Sequence, residues 1–136
     1  MWINPFNLAK KTADFQGTFK LSELDRLQPL LNSTEGEAEY QLHFSKHGDG
    51  KAYIHGTISA QLPLLCQRCG QEFRYALAVE TRLQPVLSDE QALQVKEPYE
   101  PLLVNEDQQV ELTDLVQEEI ILALPMLPKH GQECLL

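Results

Sequence analysis

Two stretches of strict alternation dominate the chain. Ala38, Tyr40, Leu42 and Phe44 alternate with Glu39, Gln41, His43 and Ser45. After Lys46-His47-Gly48-Asp49-Gly50, a set of turn residues, Ala52, Ile54, Gly56, Ile58, Ala60 and Leu62 alternate with Tyr53, His55, Thr57, Ser59 and Gln61. A period of two places successive side chains on opposite faces, so both stretches are predicted as half-buried strands joined in a hairpin. The second strand runs through Pro63-Leu64-Leu65 into Cys66. Beyond Gly70, residues 72–83 put Phe73, Tyr75, Leu77 and Val79 on one face of a further strand. Cys66-Gln67-Arg68-Cys69 therefore falls at a tip between two antiparallel strands.

The flanks are less regular. Phe15, Phe19 and Leu21 predict a short opening strand, and Ser22 a cap for a brief helix carrying Leu24, Leu27, Leu30 and Leu31, cut short by Pro29. Residues 1–12 show no period and are expected to be an arm. Residues 86–100, acidic and containing Pro98, are expected to be a loop with little order, followed by a short strand over 101–105. Leu115, Val116, Glu119, Ile120, Ala123 and Leu124 recur at helical spacing, with Ile121 and Leu122 widening the stripe. That predicts a helix over 113–124 with Thr113 as N-cap and Pro125 as its stop. The fold expected is α+β in a single domain over residues 1–136. It has an antiparallel sheet (a meander or partly open barrel), one main C-terminal helix and a C-x2-C knuckle at a strand–strand turn.

Composition adds a charge asymmetry. The chain of 136 residues carries a formal net charge of −9. Residues 86–124 hold ten acids and one base, Lys96, so the remainder balances. Sequence-independent nucleic-acid binding draws on Lys and Arg against phosphates, which this surface lacks as a whole. An acidic face suits a basic protein partner, and it also keeps a chain soluble. No run is long and apolar enough for a membrane span, and the N-terminus does not read as a secretory signal, so a cytoplasmic location is expected.

The candidate chemistry is concentrated in the cysteines. All three fall into C-x2-C…H-x3-C: Cys66 and Cys69, then His130 and Cys134. Three thiolates and an imidazole can complete a closed tetrahedral site for one structural Zn2+, which would hold the fold together without activating water. Plain thiols on a turn remain an alternative. A redox pair is disfavoured because a strand pattern, not a helix, follows the first cysteine. Arg68, Arg74 and Arg82 form the one basic cluster, either a small RNA contact or charge partners for Glu72 and Glu80. His43, His47 and His55 read as surface histidines on the hairpin. Glu118 and Glu119 are adjacent on the helix and point about 100° apart, which rules out a facing acid–base pair but suits contact with a partner. No hydrolase triad order, phosphate loop or dinucleotide turn is present.

Several segments together resemble the YceD family of bacterial and plastid proteins. They are Leu65-Cys66-Gln67-Arg68-Cys69-Gly70-Gln71-Glu72-Phe73, Tyr99-Glu100-Pro101, Val104-Asn105-Glu106 and the helix Asp114 to Pro125, with Phe15-Gln16-Gly17-Thr18-Phe19 as the opening strand. The resemblance runs from about residue 13 to Cys134. It implies a role in making, processing or protecting 23S ribosomal RNA, with no enzymatic activity established. It also implies a pair of cysteines at the positions of His130 and Cys134, an exchange that a metal site tolerates. Family members usually continue for some tens of residues to a tail containing Asn-Pro-Phe. The expected function is a non-enzymatic factor in large-subunit biogenesis that binds a basic ribosomal or RNA-processing protein or a pre-50S particle. The alternatives are direct RNA binding through the three arginines and, more remotely, a thiol- or metal-dependent enzyme.

Overall fold

The computed structural model describes residues 1–125. The elements are β1 (Trp2–Ile3), α1 (Pro5–Lys10), β2 (Asp14–Lys20), β3 (Glu37–Lys46), β4 (Ala52–Leu65) and β5 (Glu72–Val86). They continue with α2 (Asp89–Ala92), β6 (Glu100–Leu103), β7 (Val110–Glu111) and α3 (Leu112–Ala123). The architecture is α+β, with an open, mostly antiparallel sheet in the order β2-β3-β4-β5-β6. The predicted hairpin is its centre: Ala38 faces Ala60, His43 faces His55 and Lys46 faces Ala52. β6 joins parallel to β5, reached by the excursion over 87–99, so the meander expectation holds as far as β5.

One face of the sheet is covered. Leu42, Phe44, Ile54, Ile58, Leu62 and Leu64 are buried there, beneath residues from α1, α3 and the segment 21–31. The other face presents Glu39, Gln41, His55, Thr57 and Ser59 to solvent. Alternation along β3 and β4 is thus read out as a one-sided sheet. Phe15 and Phe44 meet edge to face with centroids 5.4 Å apart, tying β2 into the core.

Four segments depart from the sequence reading. Residues 1–12 fold: Asn4 Oδ1 accepts from the N–H groups of Phe6 and Asn7, Pro5 occupies the first helical position, and Ile3, Pro5 and Ala9 are buried. β1 pairs with β7 more than a hundred residues away, a contact no local period announces. The segment after β2 forms two 3₁₀ turns, Leu21–Glu23 and Gln28–Leu30, and Ser22 lies inside the first of them instead of capping a helix. Leu21, Leu24 and Leu27 are nevertheless fully buried, because spacings of three also align on a 3₁₀ path. The 86–100 region contains α2, capped by Ser88 Oγ, which accepts the N–H of Gln91. Its far end is pinned by aromatic contact: Tyr53 stacks on His47 (centroids 3.9 Å) and meets Tyr99 at a tilt (4.5 Å). Tyr53 donates to Asp49 Oδ2 at 2.6 Å, which with burial pushes its phenol up to about 12. Finally, α3 begins at Leu112 with Glu111 at the cap position, and Thr113 is already inside the helix.

Candidate functional site

The knuckle forms where the sequence places it. β4 and β5 pair as far as Leu65 opposite Glu72, and the six residues between them make the turn. Cys66 N–H donates to Gln71 O (2.9 Å), and Gly70 N–H donates to Cys66 O (2.9 Å). Gly70 takes φ +76°, where a Cβ is costly. The turn aims Arg68 N–H at Cys66 Sγ, 3.4 Å away. A backbone N–H on sulfur favours a thiolate, the form that ligates a metal. Cys66 is buried and Cys69 half-buried. These two thiols are the half of the expected zinc site that the described residues contain. His130 and Cys134, the other two ligands expected from the sequence, lie outside the described residues. Among the described residues, no group of three or more His, Cys, Asp or Glu is placed to hold a metal ion.

The three arginines do not converge. Arg68 sits on the knuckle. Arg74 and Arg82 share a face of β5 but stand eight residues apart, roughly 26 Å along a strand. Arg74 Nη1 donates to Glu35 O (3.3 Å), and Arg82 pairs with Glu80. Glu72, one of the two acids expected to pair with the arginine cluster, instead accepts from Asn32 Nδ2 at 2.9 Å, because the 21–36 segment folds back along this end of the sheet. His43 and His55 stand opposite each other on the open face, with Asp14 Oδ1 2.7 Å from His43 Nδ1.

Glu118 and Glu119 diverge on α3. Glu118 Oε2 lies 2.5 Å from Arg26 Nη2. Glu119 turns toward β5, half-buried near Thr81, whose Oγ1 is fully buried with no partner in hydrogen-bonding geometry. Burial raises the Glu119 pKa; Thr81 is close enough to oppose the rise, and Glu100 and Glu118 add to it. The folded chain thus keeps a proton on Glu119 where the unfolded chain has lost it. The stabilisation linked to this proton is full at low pH and is lost as pH rises from the ordinary glutamate range through the raised folded value. Glu119→Gln is expected to raise the melting temperature at neutral pH and to leave it unchanged near about pH 3. Identical melting curves at neutral pH would refute this account of Glu119.

Sequence reasoning missed Gln117. It is fully buried, and its Oε1 accepts the backbone N–H of Arg26 at 2.7 Å, clamping the 3₁₀ segment to α3. Its position three and four residues before Ile120 and Ile121 was the available signal, a polar residue on the apolar stripe.

The family model described as "YceD: Large ribosomal RNA subunit accumulation protein YceD" matches residues 54–136, which take in most of β4, the knuckle, β5 and α3. The chain belongs to the YceD family. A curated member from Haemophilus influenzae, named large ribosomal RNA subunit accumulation protein YceD, is 30% identical over 131 residues, covering 96% of this chain and 75% of that protein. No solved structure matches. The YceD-family match and the knuckle coincide, since Cys66 to Gly70 falls inside the matched region. Among the described residues, no helix is long and apolar enough to cross a membrane.

Proposed function

We propose that this chain is a non-enzymatic factor in large-subunit ribosome biogenesis. It promotes the synthesis, processing or stability of 23S ribosomal RNA by binding a basic ribosomal or RNA-processing protein, or a pre-50S particle that carries one. The observation that carries this reading is YceD-family membership, with a similar protein named for large ribosomal RNA subunit accumulation. The charge balance supports a basic partner over naked RNA: the acids gather over 86–124, and the arginines that RNA would need are dispersed or paired. The Cys66–Cys69 turn has a structural part in this reading. With His130 and Cys134 it would hold one Zn2+, whose chemistry is that of a cross-link.

The test is complementation. Cells lacking their own YceD-family protein are supplied with this chain, and the ratio of 23S to 16S RNA is measured. Restoration of 23S RNA is expected, with no nuclease or thiol-oxidoreductase activity from the purified protein. A ratio that stays low with well-expressed protein would sink the reading.

A further inference from the structure

A groove of about 390 Å³ lies between β6, β7 and α3. Its apolar surface comes from Trp2, Leu102, Leu103, Val104, Val110 and Leu115. Trp2 is 58% and Leu103 53% exposed, although neither is in a loop. Large apolar side chains held exposed on regular structure and gathered along one groove mark an interaction surface more often than isolated ones do.

Acids outnumber bases along the rim. Glu111, Asp114 and Glu118 line it, with Arg26 as the one cation among the lining residues. Arg26 is already engaged by Glu118, and Glu111 by the Met1 amino group at 3.2 Å. Asp114, exposed and accepting from Gln117 Nε2 at 3.5 Å, is the one of these three carboxylates in no salt bridge among the described residues. One wall is the turn after β6, contributed by Asn105 and Gln109, and between them Glu106 and Asp107 stand exposed. β6 ends the order of the five-stranded sheet, so among the described residues it is paired with β5 alone. An edge strand beside an apolar groove is the setting in which an extended segment adds to a sheet, its backbone pairing while alternate side chains enter the groove.

We propose that this groove docks an extended basic segment of a partner protein, with an apolar centre seated against Trp2 and Leu103 and flanking Lys or Arg side chains opposite Glu106, Asp107 and Asp114. This inference rests on the function proposed above and names the surface through which it acts. Charge complementarity selects the occupant. A nucleic acid would bring phosphates to an acidic rim, and a neutral peptide would leave the rim unanswered.

Trp2 is the only tryptophan in the chain, so its fluorescence reports on the groove directly. The probes are a synthetic peptide with an Ile-Leu-Val centre flanked by lysines, the same centre flanked by serines, oligolysine alone, and a 23S RNA fragment. The lysine-flanked peptide is expected to shift Trp2 emission saturably. Its Kd should rise about tenfold or more in Leu103→Ser, and similarly in the double variant Glu106→Gln with Asp107→Asn. The double variant changes only exposed turn positions, so it keeps the test open if Leu103→Ser folds poorly. Equal affinity in all three proteins, equal binding of oligolysine, or a stronger response to RNA would each overturn the proposal. Complementation separates the two levels. A wild-type chain that fails to restore 23S RNA counts against the function. A wild-type chain that restores it, with groove variants restoring it equally, counts against the groove.

Discussion

Gly56→Ala is expected to lower stability by about 3 kcal/mol, the upper part of the range for forcing atoms into a packed interior, and the melting temperature by roughly 10 °C. Gly56 lies in the middle of β4, opposite Leu42 on β3 and Thr81 on β5. A Cβ there would sit 1.9 Å from Gln41 O and 2.9 Å from Gln41 C. Both are backbone atoms of a neighbouring central strand, so no side chain can swing aside to make room. The strands must separate, which lengthens ladder hydrogen bonds and loosens the packing of Leu42 and Ile58 on either side. Gly48, in the exposed hairpin turn, is the control, since a Cβ there meets nothing within 4 Å. Gly48→Ala should stay within about 0.5 kcal/mol of wild type. Thermal unfolding followed by circular dichroism of the three proteins decides the matter. A Gly56→Ala variant as stable as Gly48→Ala would mean that β3 and β4 do not approach this closely.

Cys66→Ser is expected to remove about one zinc per chain, measured by mass spectrometry on protein purified without chelator or a metal-binding tag. It should also lower the melting temperature markedly, because metal binding and folding are linked. In small zinc modules the metal supplies on the order of 10 kcal/mol. This chain has a buried core of its own, so a smaller fall is expected, with the sheet still folded. Cys66 is the sharper choice than Cys69 because it is the more buried and its sulfur already accepts the Arg68 N–H. The two readouts guard one another: a fall in stability without loss of metal would reflect packing at a buried site, and full-length wild-type protein with no zinc would refute the metal site. Cys134→Ser, close to the end of the chain, asks whether the second half of C-x2-C…H-x3-C belongs to the same site. Retention of zinc in that variant would remove Cys134 from the ligand set.

The sequence by itself determined the parts of this protein whose signal is local. Alternation across 38–45 and 52–62 fixed both strands and the face each side chain takes, because a period of two has one solution once one face is apolar. The C-x2-C spacing with Gly70 determined the turn at the β4–β5 tip, and helical spacing before Pro125 determined α3 to within one residue at each end. The same spacing rule separated Glu118 from Glu119. Tertiary structure decided what depends on distant partners. β1 exists because Trp2 and Ile3 find Glu111 and Val110; the 21–31 leucines settle as 3₁₀ turns because the core needs them there and Gln117 clamps the segment; Tyr53 and Tyr99 give an acidic excursion a fixed course. The groove beside β6 is of the same kind. Trp2, Leu103 and Asp114 are not neighbours in sequence, and only the tertiary placement of β1, β7 and α3 beside β6 brings an apolar floor under a largely acidic rim.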